Sequence, residues 1–95
     1  MAISDTNKKF LDDLVQYYIN ESESYKQYAS EYGEFCKSEM DVAFGLIVGT
    51  MYSAFLQTYA NQQLEVGLDD IQEFHEFIKS NATQIKESLE KNEDW

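Results

Sequence analysis

Apolar residues recur along this chain every three or four positions, and no segment alternates with a period of two, so the pattern predicts helices throughout. Leu11, Leu14, Tyr18, Tyr25, Ala29, Tyr32 and Cys36 fall on one side of a 3.6-residue helix, with Phe10 and Tyr28 at its margin. Lys9, Asp12, Asp13, Gln16, Glu23, Gln27 and Glu34 fall elsewhere, which defines an amphipathic helix over about 5–35. Ser4 or Thr6 can cap its start. Its weak point is Asn20-Glu21-Ser22-Glu23-Ser24, where Glu21 interrupts the stripe and Asn20 with Glu23 resembles an N-cap pair. The pattern allows one bent helix or two shorter ones and favours continuity, with a kink near Ser22.

The second element is of another kind. From Val42 to Leu64 no residue is charged. Ser38 followed by Asp41 reads as a capping box, so a helix should start near Glu39, run to about residue 64 or 65 and stop at Gly67 in a left-handed conformation. Phe44, Ile47, Val48, Met51, Phe55 and Tyr59 form a bulky face, and Gly45, Gly49, Ser53, Leu56 and Ala60 a smaller one roughly opposite. A helix apolar on both sides needs neighbours on both. A third helix should occupy about 69–91, with Ile71, Phe74, Ile78, Ala82, Ile85 and Leu89 as its stripe and Asp70 and Glu73 at its positive end. Residues 92–95 read as a frayed acidic tail. The expected fold is all-α: one domain over 1–95, an antiparallel bundle of three principal helices completed by dimerisation.

Composition narrows this further. Proline is absent from the 95 residues and hydrophobic residues make up 43% of them, so the chain can build a core, though a modest one. Eighteen acids against seven basic residues, all lysine, give a net charge of −11. That balance opposes direct nucleic-acid binding, which needs Lys and Arg to displace counterions, and without arginine no bidentate phosphate clamp is available. A bilayer span needs about 20 predominantly apolar residues. Here the dense run is shorter, glutamine and asparagine follow it, and Glu39, Asp41 and Glu65 flank it where Lys or Arg would be expected. The N-terminal residues carry neither a basic region nor a hydrophobic signal core, and Cys36 is a lone cysteine. A buried helix in a cytoplasmic protein is the expectation, with no membrane partner.

Candidate chemistry is sparse. His75 is the single histidine; no second His or Cys stands at helical spacing to build a metal site with it, and the neighbouring Glu73 and Glu76 leave its face. A phospho-accepting His75 in a small acidic helical bundle would resemble histidine phosphotransfer domains. Their motif places Lys three residues after the histidine and Gly next; here Ile78, Lys79 and Ser80 follow, departing at both positions. Cys36 lacks a partner for a catalytic dyad. No catalytic residue, metal ligand or cofactor site is assigned, and the chain reads as a non-enzyme.

Two surfaces stand out instead. Tyr17, Tyr18, Tyr25, Tyr28 and Tyr32 offer large rings with wet hydroxyls, a composition suited to partner binding or to the half-buried edge of a bundle. Gly45, Gly49, Ser53 and Leu56 suit close helix approach, either within the chain or across a dimer. The functional expectation is a small acidic protein-interaction or regulatory protein acting as a homodimer, with an unknown and possibly basic protein partner. The alternative is an acidic decoy imitating nucleic acid in a basic protein's groove, and the third reading is phosphotransfer through His75.

Overall fold

A computed structural model describes residues 2–91 and contains four α-helices: α1 (Asp5–Asn20), α2 (Ser22–Ser30), α3 (Glu39–Asn61) and α4 (Leu68–Glu90). A single 3-10 turn, Gly33–Phe35, joins α2 to α3. The all-α expectation holds, with four helices where three principal ones were predicted. The acidic tail predicted over 92–95 lies outside the described residues.

The first helix is divided rather than continuous. Glu21 takes a non-helical conformation (φ −98°, ψ 13°) that ends α1, and its carbonyl accepts from the Ser24 N–H at 3.0 Å as α2 begins. The break falls where Glu21 interrupts the apolar stripe; beyond it Ser22, Lys26 and Ala29 face the core, Tyr25 is half-buried and Tyr32 turns out. Tyr28 and Tyr32 are each left 54% exposed. Ser22 Oγ donates to the Ser88 carbonyl at 3.2 Å in a buried contact that anchors the start of α2 on the end of α4. The serine hydroxyl satisfies that carbonyl, and an unpaired buried carbonyl costs about 1–3 kcal/mol.

Two helix starts follow the sequence. Ser4 Oγ accepts from the Asn7 N–H at 3.2 Å, and Ser38 Oγ accepts from the Asp41 N–H at 3.1 Å. The end of α3 does not. It closes at Asn61, before the predicted boundary, and Gln63 rather than Gly67 takes the left-handed conformation, at φ 59°. The Leu64 N–H reaches the Tyr59 carbonyl and the Gln63 N–H the Ala60 carbonyl, each at 3.0 Å, the paired bonds of a Schellman ending. Gly67 is extended (φ −85°) and precedes α4, its N–H bonded to the Asp70 carboxylate at 3.0 Å.

The core gathers Leu11 and Val15 of α1, Ile47, Met51 and Phe55 of α3, and Phe74, Ile85 and Leu89 of α4, all essentially without exposure. Polar groups pin its ends. Asn7 and Gln62 exchange side-chain amide bonds at 3.1 and 2.8 Å, joining the start of α1 to the end of α3. The Ile3 N–H donates to Glu73 Oε2 at 2.7 Å beside the start of α4. At the far end Lys86 of α4 lies 3.4 Å from Asp41 at the start of α3. α3 therefore carries helices along its inner side, with its outer side left over.

Candidate functional site

The outer side of α3 is the candidate site. Gly45, Gly49 and Ser53 are exposed, Leu56 is half-buried, and no charged residue lies on this face between Val42 and Leu64. A methyl group built on either glycine would meet nothing within 4 Å. That overturns the reading of the glycine pair as an intrachain close contact with a neighbouring helix: the backbone is bare toward solvent on that side. Helical glycine costs about 0.8–1.0 kcal/mol relative to alanine, and nothing within the protomer uses the space it leaves.

The five tyrosines do not form the single face expected of them. Tyr18 is buried at 6% exposure and Tyr25 half-buried, while Tyr17, Tyr28 and Tyr32 stand out. Four of them make an edge-to-face ladder across the helix break. Ring centroids are 5.0 Å apart from Tyr17 to Tyr18, 5.4 Å from Tyr18 to Tyr25 and 5.3 Å from Tyr25 to Tyr28, at interplanar angles of 84°, 76° and 86°. This is the favourable geometry for aromatic quadrupoles, and it staples α1 to α2. Burial, reinforced by the charge of Tyr25 and a hydrogen bond to it, pushes the Tyr18 hydroxyl up to about 12. A phenol whose folded value lies above its unfolded value of about 10 contributes stability in full below pH 10 and loses it as pH rises to about 12. Wild-type stability is therefore expected to fall by roughly 2 kcal/mol over that window. Tyr18→Phe should flatten the profile, as read by urea unfolding at pH 9 and pH 11.5; an unchanged slope in the variant would contradict the assignment.

The outer face of α3 is flanked by two grooves. On one side Tyr25 and Tyr28 of α2, with Glu31 and Tyr32 just beyond its end, face Leu46 and Thr50 of α3 across a concavity of about 400 Å3. On the other Phe44 of α3 meets His75, Ile78, Lys79, Ala82, Thr83 and Lys86 of α4 around about 640 Å3. Lys86 Nζ sits 5.3 Å from the centre of the Phe44 ring, a cation–π distance. Exposed Tyr28 and Tyr32, separate from α3 in the sequence, are thus brought beside Leu46 and Thr50 at the edge of the glycine face. The lysine flank was not foreseen. Its signal is the seven-residue spacing of Lys79 and Lys86, which repeats along one side of α4.

His75 is exposed, its ring stacked on Tyr52 at 5.9 Å and 18° and set edge-on to Phe74 at 5.4 Å. Among the described residues no group of three or more His, Cys, Asp or Glu side chains is placed to hold a metal ion. His75→Ala is expected to change stability by less than about 1.5 kcal/mol, since only an exposed ring contact is lost. Stoichiometric zinc binding that disappears in this variant, measured by calorimetry, would contradict that reading.

The 23-residue α3 is long and apolar enough to cross a membrane by length and composition alone, and 22% of its most apolar stretch is buried. The core helix of a soluble protein passes the same test. Comparison with protein-family models, with curated proteins and with solved structures finds no match to this chain.

Proposed function

We propose that this protein is a small, acidic, non-enzymatic interaction or regulatory protein that works as a homodimer, and that the dimer forms through Gly45, Gly49, Ser53 and Leu56. One observation carries the reading: α3 is apolar on both sides, and its outer side is uncharged and open to solvent at both glycines and at Ser53. Water is a poor neighbour for such a face, and an apolar patch rimmed by polar groups marks an association site. A second copy supplies a matching face at no cost in specificity, because a two-fold contact sets the same patch against itself. Two antiparallel bundles would then share a common wall.

A bilayer is the less favourable cover. Amphipathic α1 and α4 are packed on α3, and the Lys86–Asp41 pair and Lys79 stand beside the same face. Inserting α3 would carry those charges into hydrocarbon or strip the helix from its core. The net charge of −11 supports a basic region on a further protein partner rather than nucleic acid, and the lone Cys36 suits a reducing, cytoplasmic setting.

Nuclear magnetic resonance on an equimolar mixture of labelled and unlabelled protein tests the reading. Intermolecular contacts are expected at the methyl groups of Val42, Leu46 and Leu56. Intermolecular contacts confined to other surfaces, or none at millimolar protein, would overturn it.

A further inference from the structure

We infer that the two copies pair with their α3 helices parallel, setting Glu31 of each protomer against the partner's Lys79. The inference rests on the dimer reading above and adds its geometry, which the two flanks of the outer face decide.

Counting about 100° per residue, Leu46 and Thr50 lie roughly 80–120° to one side of the line through Gly45 and Gly49, and Phe44 and Val48 about as far to the other. The glycines therefore sit midway between the α2 groove and the α4 groove. The flanks carry opposite charge. On the α2 side the groove is lined by Glu31 and no cation, and the lysine of that helix, Lys26, is turned inward at 5% exposure. On the α4 side it is lined by Lys79 and Lys86 and no acid.

The heights match as well. Lys86 lies level with Asp41 and Phe44, and His75 stacks on Tyr52, which puts Lys79 between them and beside Gly49. Glu31 shares its groove with Leu46 and Thr50, at the same level. Both side chains are exposed, and neither belongs to the Lys9–Asp13 or the Lys86–Asp41 ion pair. One free acid and one free cation thus flank the bare glycines at equal height.

A two-fold contact between these faces has two forms. With the axis along α3 the helices are parallel, and the α2 flank of each copy meets the α4 flank of the other. With the axis across α3 the helices are antiparallel, and each flank meets its own copy, Glu31 against Glu31 and Lys79 against Lys79. Like charges set face to face suppress an arrangement, and opposite charges fix the register. Only the parallel form pairs the charges on both sides. It also sets the exposed rings of Tyr28 and Tyr32 beside the partner's lysines, where cation–π contact adds to the attraction.

Charge reversal tests this, read as the dimer dissociation constant by sedimentation at low ionic strength, where surface pairs are least screened. Glu31→Lys and Lys79→Glu, both at exposed positions, should each weaken the dimer about ten-fold, because symmetry counts every exposed pair twice. The double variant Glu31→Lys/Lys79→Glu should return to within about three-fold of wild type, the coupling a double-mutant cycle isolates. Circular dichroism confirms the fold of each variant. A dimer whose single variants are not rescued by the double, or whose Glu31→Lys chain binds wild type more tightly than either binds itself, would overturn the parallel arrangement while leaving the dimer standing. A wild-type chain that does not associate would overturn both.

Discussion

Gly49→Leu is expected to yield a folded monomer at concentrations where the wild-type chain is a dimer. The expectation divides cleanly between fold and assembly. Within a protomer the new side chain meets open space, because a Cβ at Gly49 has no heavy atom within 4 Å, and leucine is a better helix former than glycine by roughly 0.8 kcal/mol. The protomer should therefore keep its helicity or gain thermal stability at high dilution. Across a two-fold contact the same side chain overpacks the closest approach of the two α3 helices. Overpacking costs about 1–3 kcal/mol at a site, and the symmetry makes two sites of it. Sedimentation and circular dichroism on the same samples separate the effects. A dimer untouched by the substitution would move the interface off the glycine face, toward the exposed Tyr28 and Tyr32.

Phe74→Ala is expected to cost about 3–5 kcal/mol of unfolding free energy, a large part of the roughly 5–15 kcal/mol a domain of this kind commands. Phe74 has no exposed surface, its ring centre lies 4.9 Å from that of Phe55 and 5.4 Å from that of Tyr52, and it ties α4 to α3 at the middle of the core. Truncation leaves a cavity between rigid helices that cannot collapse. Phe35→Ala is the control: that ring is 78% exposed, and its loss should fall within about 0.5 kcal/mol. Urea unfolding reads both, and a Phe74→Ala cost below about 1.5 kcal/mol would contradict the core described here.

Helix type and two of the caps were legible because they are local. Ser4 and Ser38 bond to N–H groups three residues on, and Phe74, Ile78, Ile85 and Leu89 keep helical spacing and a buried side together. The break at Glu21 was visible as an interruption and misjudged in its consequence. How the second segment seats depends on distant contacts, among them the bond from Ser22 to the Ser88 carbonyl 66 residues away. The Asn7–Gln62 amide pair, 55 residues apart, was hidden for the same reason. Gln63 in the left-handed position went unseen because Gly67 is the better local candidate, and the chain uses that glycine to enter α4 instead.

The candidate face was half legible. Helical spacing alone separates Gly45 and Gly49 from the bulky side of α3, but whether a neighbouring helix covers them is decided by packing, and the packing leaves them open. The charge on its flanks was illegible, since Glu31 and Lys79 are 48 positions apart and line separate grooves on either side of α3.

The most direct measurement of the central claim is sedimentation equilibrium of the wild-type chain in detergent-free buffer, from about 1 μM to about 100 μM. A dimer at the upper concentration, dissociating on dilution if at all, is the predicted result, since cover for an apolar helix face should be worth at least about 5.5 kcal/mol of association. A monomer throughout, with the helices intact, would contradict it.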